Sequence, residues 1–151
     1  MALRDARTIH DTAAERLAGL DQRYTRVRRA LVELLAGAEA PLALPQLLER
    51  DRSLAQSSAY RNLVVLERAG VVHRIVTADE FARYELAEDL TGHHHHLICT
   101  TCGEVRDFTM PPGVESQLEG ALGRVAGENA FAADHHRLDL IGTCADCAAA
   151  R

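Results

Sequence analysis

The chain has no lysine and no tryptophan, and only 4% of its residues are aromatic, so its core has to be aliphatic, built from Leu, Val, Ile and Ala. It has no apolar stretch of the roughly 20 residues needed to span a bilayer. Its opening segment, MALRDARTIHD, carries charge where a signal peptide needs an apolar run. Both absences predict a cytoplasmic protein. Cysteine is scarce, four in 151 residues. In a reducing compartment those four are better read as metal ligands than as disulfides. No nucleophile motif, phosphate-binding glycine loop or His-Glu-x-x-His helix is present, so the chain reads as a non-enzyme. A hydrophobic content of 47% argues against disorder and leaves room for one ordinary domain or two small ones.

All 17 basic residues are arginine, and the net charge of −5 is unevenly spread. Residues 1–88 balance 13 arginines against 13 acids, whereas residues 89–151 hold 4 arginines and 9 acids. The first half includes a dense basic cluster, Arg23, Arg26, Arg28 and Arg29. A neutral half with arginine clusters and an acidic half suited to cations can do different work.

Apolar spacing predicts a helix over 3–20 (Leu3, Ala6, Ile9, Ala13, Leu17, Leu20) and a second over 25–36, capped by Thr25 and stopped at Gly37. Beyond Pro41 and Pro45, residues 46–50 form the core of a third helix. Ser57 or Ser58 is the expected cap of a fourth, which stops at Gly70. The period then changes to two: Val71, Val72, Ile75 and Val76, a TADE turn, and an alternating FARYEL segment describe a hairpin. Three helices and a hairpin form a winged helix, with 46–50 and 57–69 as the DNA-reading pair. A small helical core without DNA contacts fits the same pattern. The polar stretch 87–92 reads as a hinge. After it come a strand ending in LIC, a turn at Gly103, a strand EVRDF, a helix over about 114–127 and a last strand in HHRLDLIG. The fold class expected is α+β: a winged-helix DNA-binding domain (1–86), a hinge (87–92) and an α/β dimerisation domain that binds metal (93–151).

Two Cys-x-x-Cys hooks, Cys99/Cys102 and Cys144/Cys147, supply four thiolates. Four thiolates close a tetrahedral zinc sphere and leave no position for substrate water, which is a structural site. Four histidines, 93–96, precede the first hook. On a strand His93 and His95 face one way and His94 and His96 the other, so one tetrapeptide can serve two metal sites. The pair His135/His136 and the carboxylates Asp107 and Glu115 are further donors on offer.

The ordered set SSAYRNLVVLERAGVV, RYEL, HHHHLICTTCGEV and CADC resembles the ferric uptake regulator family over roughly residues 20–151. The resemblance implies a dimeric, metal-dependent repressor that binds a double-stranded DNA operator, with metal ions as effectors. It assigns Cys99, Cys102, Cys144 and Cys147 to a structural zinc. It places His93, His95, Glu115 and His136 in a dimerisation-domain site. It places His94, His96, Glu85 and His73 in a hinge site, with Glu88 as rival to Glu85. Ser57, Ser58, Tyr60, Arg61, Asn62 and Arg23 become the expected DNA contacts. The chain departs from iron-sensing members in having Pro41 where they have a histidine, and from zinc-sensing members in lacking a cysteine near the end of the wing. The all-histidine run most resembles the zinc uptake regulator branch. A hinge site of nitrogen and oxygen donors also suits iron, manganese or nickel, or peroxide sensing through iron. A metal-buffering protein that ignores DNA is the rival from another class.

Overall fold

The computed structural model of the chain describes residues 5–77 and 81–150. Helix α1 (Ala6–Ala18) starts at Asp5, whose side chain accepts the Arg7 N–H, and buries Ile9, Ala13 and Leu17, every fourth residue, as an amphipathic stripe requires. It ends at Gly19, so Leu20 falls outside the helix and is exposed, against expectation; Leu3 lies outside the described residues. Helix α2 (Arg26–Ala36) begins at Thr25, whose hydroxyl accepts the Arg28 N–H at 3.4 Å, and buries Leu31, Val32 and Leu35. Strand β1 (Leu42–Ala43) leads into α3 (Leu44–Arg50), where the Gln46 side chain accepts the Ala43 N–H at 2.8 Å.

Helix α4 (Gln56–Arg68) starts two or three residues earlier than a cap at Ser57 or Ser58 would place it. Its N-cap is Ala55 in extended conformation, with no side-chain cap, so Ser57 and Ser58 sit inside the first turn. Gly70, at φ +69°, makes the left-handed exit that only glycine adopts cheaply. Strands β2 (Val72–Val76) and β3 (Ala82–Leu86) form the hairpin, and β1 joins it in the order β1-β3-β2. Of the expected TADE turn, residues 78–80 lie outside the described residues.

The stretch read as a polar hinge folds as a helical turn, α5 (Glu88–Thr91), because Leu90 is fully buried in the same core as Leu17, Leu31, Leu63 and Leu66. Each such leucine contributes about 1.5–3 kcal/mol of burial. Arg16 of α1 reaches across to Asp89 of this turn and to the Gly70 carbonyl, tying three segments together.

Strand β4 (His95–Cys99) is the centre of the second sheet, order β5-β4-β6. It pairs antiparallel with β5 (Val105–Phe108) and parallel with β6 (Asp139–Gly142), the parallel crossover being made through α6 (Pro112–Glu128). A short α7 (Ala145–Ala149) carries the last hook. Helix α6 buries none of its residues. It leaves Val114, Leu122 and Val125, which share one side of the helix by their spacing, exposed as an apolar face that the single chain does not cover; Leu97, Phe131, Leu140 and Ile141 are exposed as well. Among the described residues no helix is long and apolar enough to cross a membrane.

Candidate metal centres and nucleic-acid interface

Among the described residues the donors collect into three groups, each with its ligand atoms within 4.8 Å of one another: Cys99, Cys102, Cys144 and Cys147; His93, His95, Glu115 and His136; and Glu85, His94, His96 and Asp107.

In the first, all four cysteines are free thiols. The Cys102 and Cys144 sulfurs stand 3.9 Å apart, too far for a disulfide. That spacing matches the edge of about 3.8 Å that a tetrahedron of zinc–sulfur bonds near 2.3 Å requires. Backbone N–H groups of Cys102, Cys144 and Thr101 draw the Cys99 thiol down to about 6. Its Sγ accepts the Cys144 N–H at 3.3 Å. Interactions with the Cys144 and Cys102 sulfurs push Cys147 up to about 12. Crowded thiols of this kind shed their protons together only against a cation, so the donor set fits a thiophilic metal.

The second group is built on β4's approach, α6 and the segment before β6. Glu115, in the first turn of α6, receives His93 Nε2 and His95 Nε2, each at 2.9 Å, and lies 3.2 Å from His136 Nε2. The hydrogen bond from His95 is the chief reason its carboxyl sits below the usual carboxylate range. Although it lies near Glu115, the buried His136 Nε2 makes no well-directed hydrogen bond among the described residues, which leaves its lone pair open to a metal. Glu88 is not at the hinge cluster: its carboxylate lies against His93 Nδ1. His135 stays exposed and joins none of these groups among the described residues.

The third group joins the two sheets. Glu85 on β3 reaches out of the wing so that one oxygen, Oε2, lies 3.0 Å from His94 Nε2 and 3.1 Å from His96 Nε2. Asp107 stands beside both at 3.9 and 3.8 Å. His73 is adjacent rather than central. It contacts the other oxygen of Glu85 at 3.1 Å, its cross-strand neighbour, and the fourth place in the cluster is held by Asp107. His94 Nδ1 faces the Gly92 carbonyl at 2.9 Å and His96 Nδ1 faces Asp139 at 3.2 Å. Those partners fix the proton on Nδ1 and leave Nε2 as a lone pair for a metal, so the set fits a divalent ion. Without one, burial works to raise the Glu85 carboxyl, but hydrogen bonds from His73, His94 and His96 outweigh it and hold the group well below the carboxylate range. The Glu85 bond in turn lifts His94 to about 9. Burial, aided by the Glu85 charge, raises Asp107 against the opposing pull of His94 and His96.

Asp107 was visible as a donor on offer but not as a member of this site. Its signal was the hairpin register: once Ile98 pairs with Val105, His96 must pair with Asp107. Asp139 carried no local signal, since its pairing with His96 is the parallel one through the crossover.

In the winged-helix part, α4 buries Ala59, Leu63 and Leu66 and presents Ser57, Tyr60 and Arg61 to solvent. Arg23 is also exposed. Ser58 and Asn62 are half-buried. The Asn62 amide is engaged internally, accepting from Arg28 Nε at 2.9 Å and donating to the Ser58 carbonyl at 2.8 Å, so it is turned away from the surface the other candidates share.

A helix-turn-helix with a hairpin wing, coupled to a histidine- and cysteine-rich sheet, defines the class of winged-helix transcription regulators governed by metal. The chain belongs to the ferric uptake regulator family, whose model matches residues 20–141; its members are dimeric, DNA-binding regulators that respond to metal ions. The chain is 35% identical over 103 residues to the ferric uptake regulation protein of Neisseria gonorrhoeae, covering 68% of this chain and 67% of that protein. It is 32% identical over 139 residues to the peroxide operon regulator of Bacillus subtilis (strain 168), covering 89% and 90%. The Helicobacter pylori ferric uptake regulator, a structure described as revealing three functional metal binding sites, superposes with a TM-score of 0.76 at 22% identity, over 98% of this chain and 97% of that one; this likeness concerns the fold.

Proposed function

We propose that the chain is a zinc-responsive repressor of metal-uptake genes, acting as a two-fold dimer on a palindromic operator. The observation that carries the reading is Glu85: a wing residue whose carboxylate is shared by two histidines of the other sheet. Donors divided between a DNA-binding unit (1–86) and a dimerisation unit (93–151), with the turn at 87–92 between them, bind an ion well only when the two units hold one relative orientation. An ion then favours that orientation by as much as it binds it better. A divalent cation supplies the charge that replaces the protons on His94 and His96. The four cysteines would hold a structural zinc. His93, His95, Glu115 and His136 would hold a further ion beside the apolar face of α6, where a second copy would dock and set the spacing of the two reading helices. Ser57, Tyr60 and Arg61 would meet bases or phosphates from α4, whose uncapped first turn leaves N–H groups for a phosphate. Arg23 would position the DNA backbone.

A second reading is favoured by Asp107. Two imidazoles and two carboxylates, with no thiolate, also suit Fe(II) or Mn(II), and relatives named for ferric uptake and for peroxide response lie at similar identity. Because zinc outcompetes both ions at such donors in a test tube, the test has to buffer free metal. Metal per chain is measured before and after mild chelation, and operator binding by fluorescence anisotropy at fixed free Zn(II), Fe(II) or Mn(II). The zinc reading expects one zinc per chain to survive chelation and DNA binding to return at sub-nanomolar free zinc. Return only with Fe(II), followed by oxidation of His94 or His96 on adding peroxide, would replace it with the peroxide-sensing reading. DNA binding indifferent to every metal would overturn both.

A further inference from the structure

Arg83 and Glu85 are two apart on β3 and project from the same face of the strand. Glu85 goes to the hinge histidines. Arg83 goes elsewhere: its Nε donates to the Gly103 carbonyl at 2.6 Å, with the side chain almost wholly buried. Gly103 closes the first cysteine hook. Its φ of +70° turns the chain sharply after Cys102, and its N–H donates to the Cys99 carbonyl at 3.0 Å. Next to Arg83 on the hairpin is its cross-strand partner Ile75, which packs with Ile98 and Val105 in a buried cluster separate from the main core. Ile98 and Val105 are themselves paired on the two strands that flank the hook.

We propose that Arg83, with Ile75, is a positioning residue that seats the wing on the first cysteine hook and so sets the orientation of the reading helix alongside the hinge donors. The two attachments differ in kind. Glu85 is a titratable ligand whose grip depends on what the histidines hold. Arg83 is a permanent cation that cannot be neutralised, and the Gly103 carbonyl is one acceptor for its buried guanidinium. They lie about 7 Å apart along one strand, at two residues of roughly 3.4 Å each. One attachment leaves a pivot; two fix a direction. The acceptor is a backbone carbonyl whose aim is set by the turn between Cys99 and Glu104, so the geometry of the hook is read directly by the wing.

This rests on the reading that DNA affinity depends on how the two units are oriented, and the test separates the two ideas. Spin labels carried on unnatural amino acids at the exposed positions Glu49 and Glu119 report the distance between the units in the full-length, zinc-loaded protein without DNA. Arg83→Met keeps the apolar stem and removes the donor; Arg83→Lys restores a donor. Arg83→Met should broaden the distance distribution and weaken operator binding tenfold or more. Metal per chain and the salt dependence of DNA binding should stay unchanged, and Arg83→Lys should recover part of both losses. A distribution as narrow as wild type would overturn the proposal. So would loss of metal from the cysteine site, which would make Arg83 a part of the hook alone. A fall of about one in the salt slope would make it a phosphate contact and also overturn the proposal. A broadened distribution with unchanged DNA affinity would uphold the attachment and refute the orientation reading instead.

Discussion

Replacing Glu85 with glutamine is the sharpest perturbation of the hinge. The substitution is isosteric and keeps one neutral oxygen, so packing against β2 should survive. What it removes is the charge shared by three imidazoles, at 3.1 Å from His73, 3.0 Å from His94 and 3.1 Å from His96. A hydrogen bond to a charged group contributes about 1.5–3 kcal/mol, and losing even one such interaction with the metal-bound state corresponds to about 10- to 100-fold in affinity. Changes one shell further out already weaken metal binding by about 10- to 100-fold, so a direct donor should reach the upper end of that range. Titration against a chromophoric chelator should therefore show one class of site weakened about 100-fold, with the thiolate site and the His93/His95/Glu115/His136 site retained. Operator binding at limiting metal should fall in parallel, while circular dichroism and the dimer remain as in the wild type. If Glu85→Gln holds its most exchangeable metal within about threefold of wild type, Glu85 is not a hinge ligand and the coupling argument fails with it.

Three further outcomes follow from the same geometry. Arg61→Ala should weaken operator binding by about 1–3 kcal/mol without changing metal content, whereas unchanged binding would mean that α4 is not the reading helix. In the metal-free protein, His94 is raised from 6.5 to about 9 by Glu85, so its contribution to stability is complete below about pH 6.5 and lost as pH rises through about 9. Glu85 is depressed, so its contribution is present above about pH 4.5 and lost as pH falls. Urea midpoints of the chelated protein should therefore peak between roughly pH 4.5 and 6.5 and decline toward pH 9; a flat profile would refute the pairing. Val125→Asp places a charge on the uncovered face of α6, where Val125 is 56% exposed in the single chain. Sedimentation should show monomers with intact α-helical content, and a stable dimer would put the partner elsewhere.

Much of the architecture was legible because it is written in short-range rules. The 3.6-residue stripe of α1, α2 and α4, the switch to period two at Val71, the glycine stops at 37 and 70, and the Thr25 cap all depend on neighbours within one or two turns. Errors arose where the backbone course or a longer-range contact outweighed a local preference. Ser57 and Ser58 looked like caps, but the extended residue before Gln56 starts the helix earlier. The segment AEDLTG looked like a solvated hinge, yet Leu90 is drawn into the core and winds it into a turn. Asn62 looked like a base-reading amide, and the buried Arg28 takes it instead.

The candidate sites divide along the same line. Sequence alone determined that four consecutive histidines split into two pairs and that each Cys-x-x-Cys presents two sulfurs together, because strand alternation and a tight turn are properties of the local backbone. Only the tertiary structure decided what meets them. Whether Glu85 or Glu88 serves His94 and His96 depends on the fold of the turn between them. Asp107 enters through a hairpin register, Asp139 through a parallel pairing across α6, and Arg83 through the packing of the wing on a hook 20 residues away. Those choices are made by burial and register between segments distant in sequence, and no periodicity within a segment encodes them.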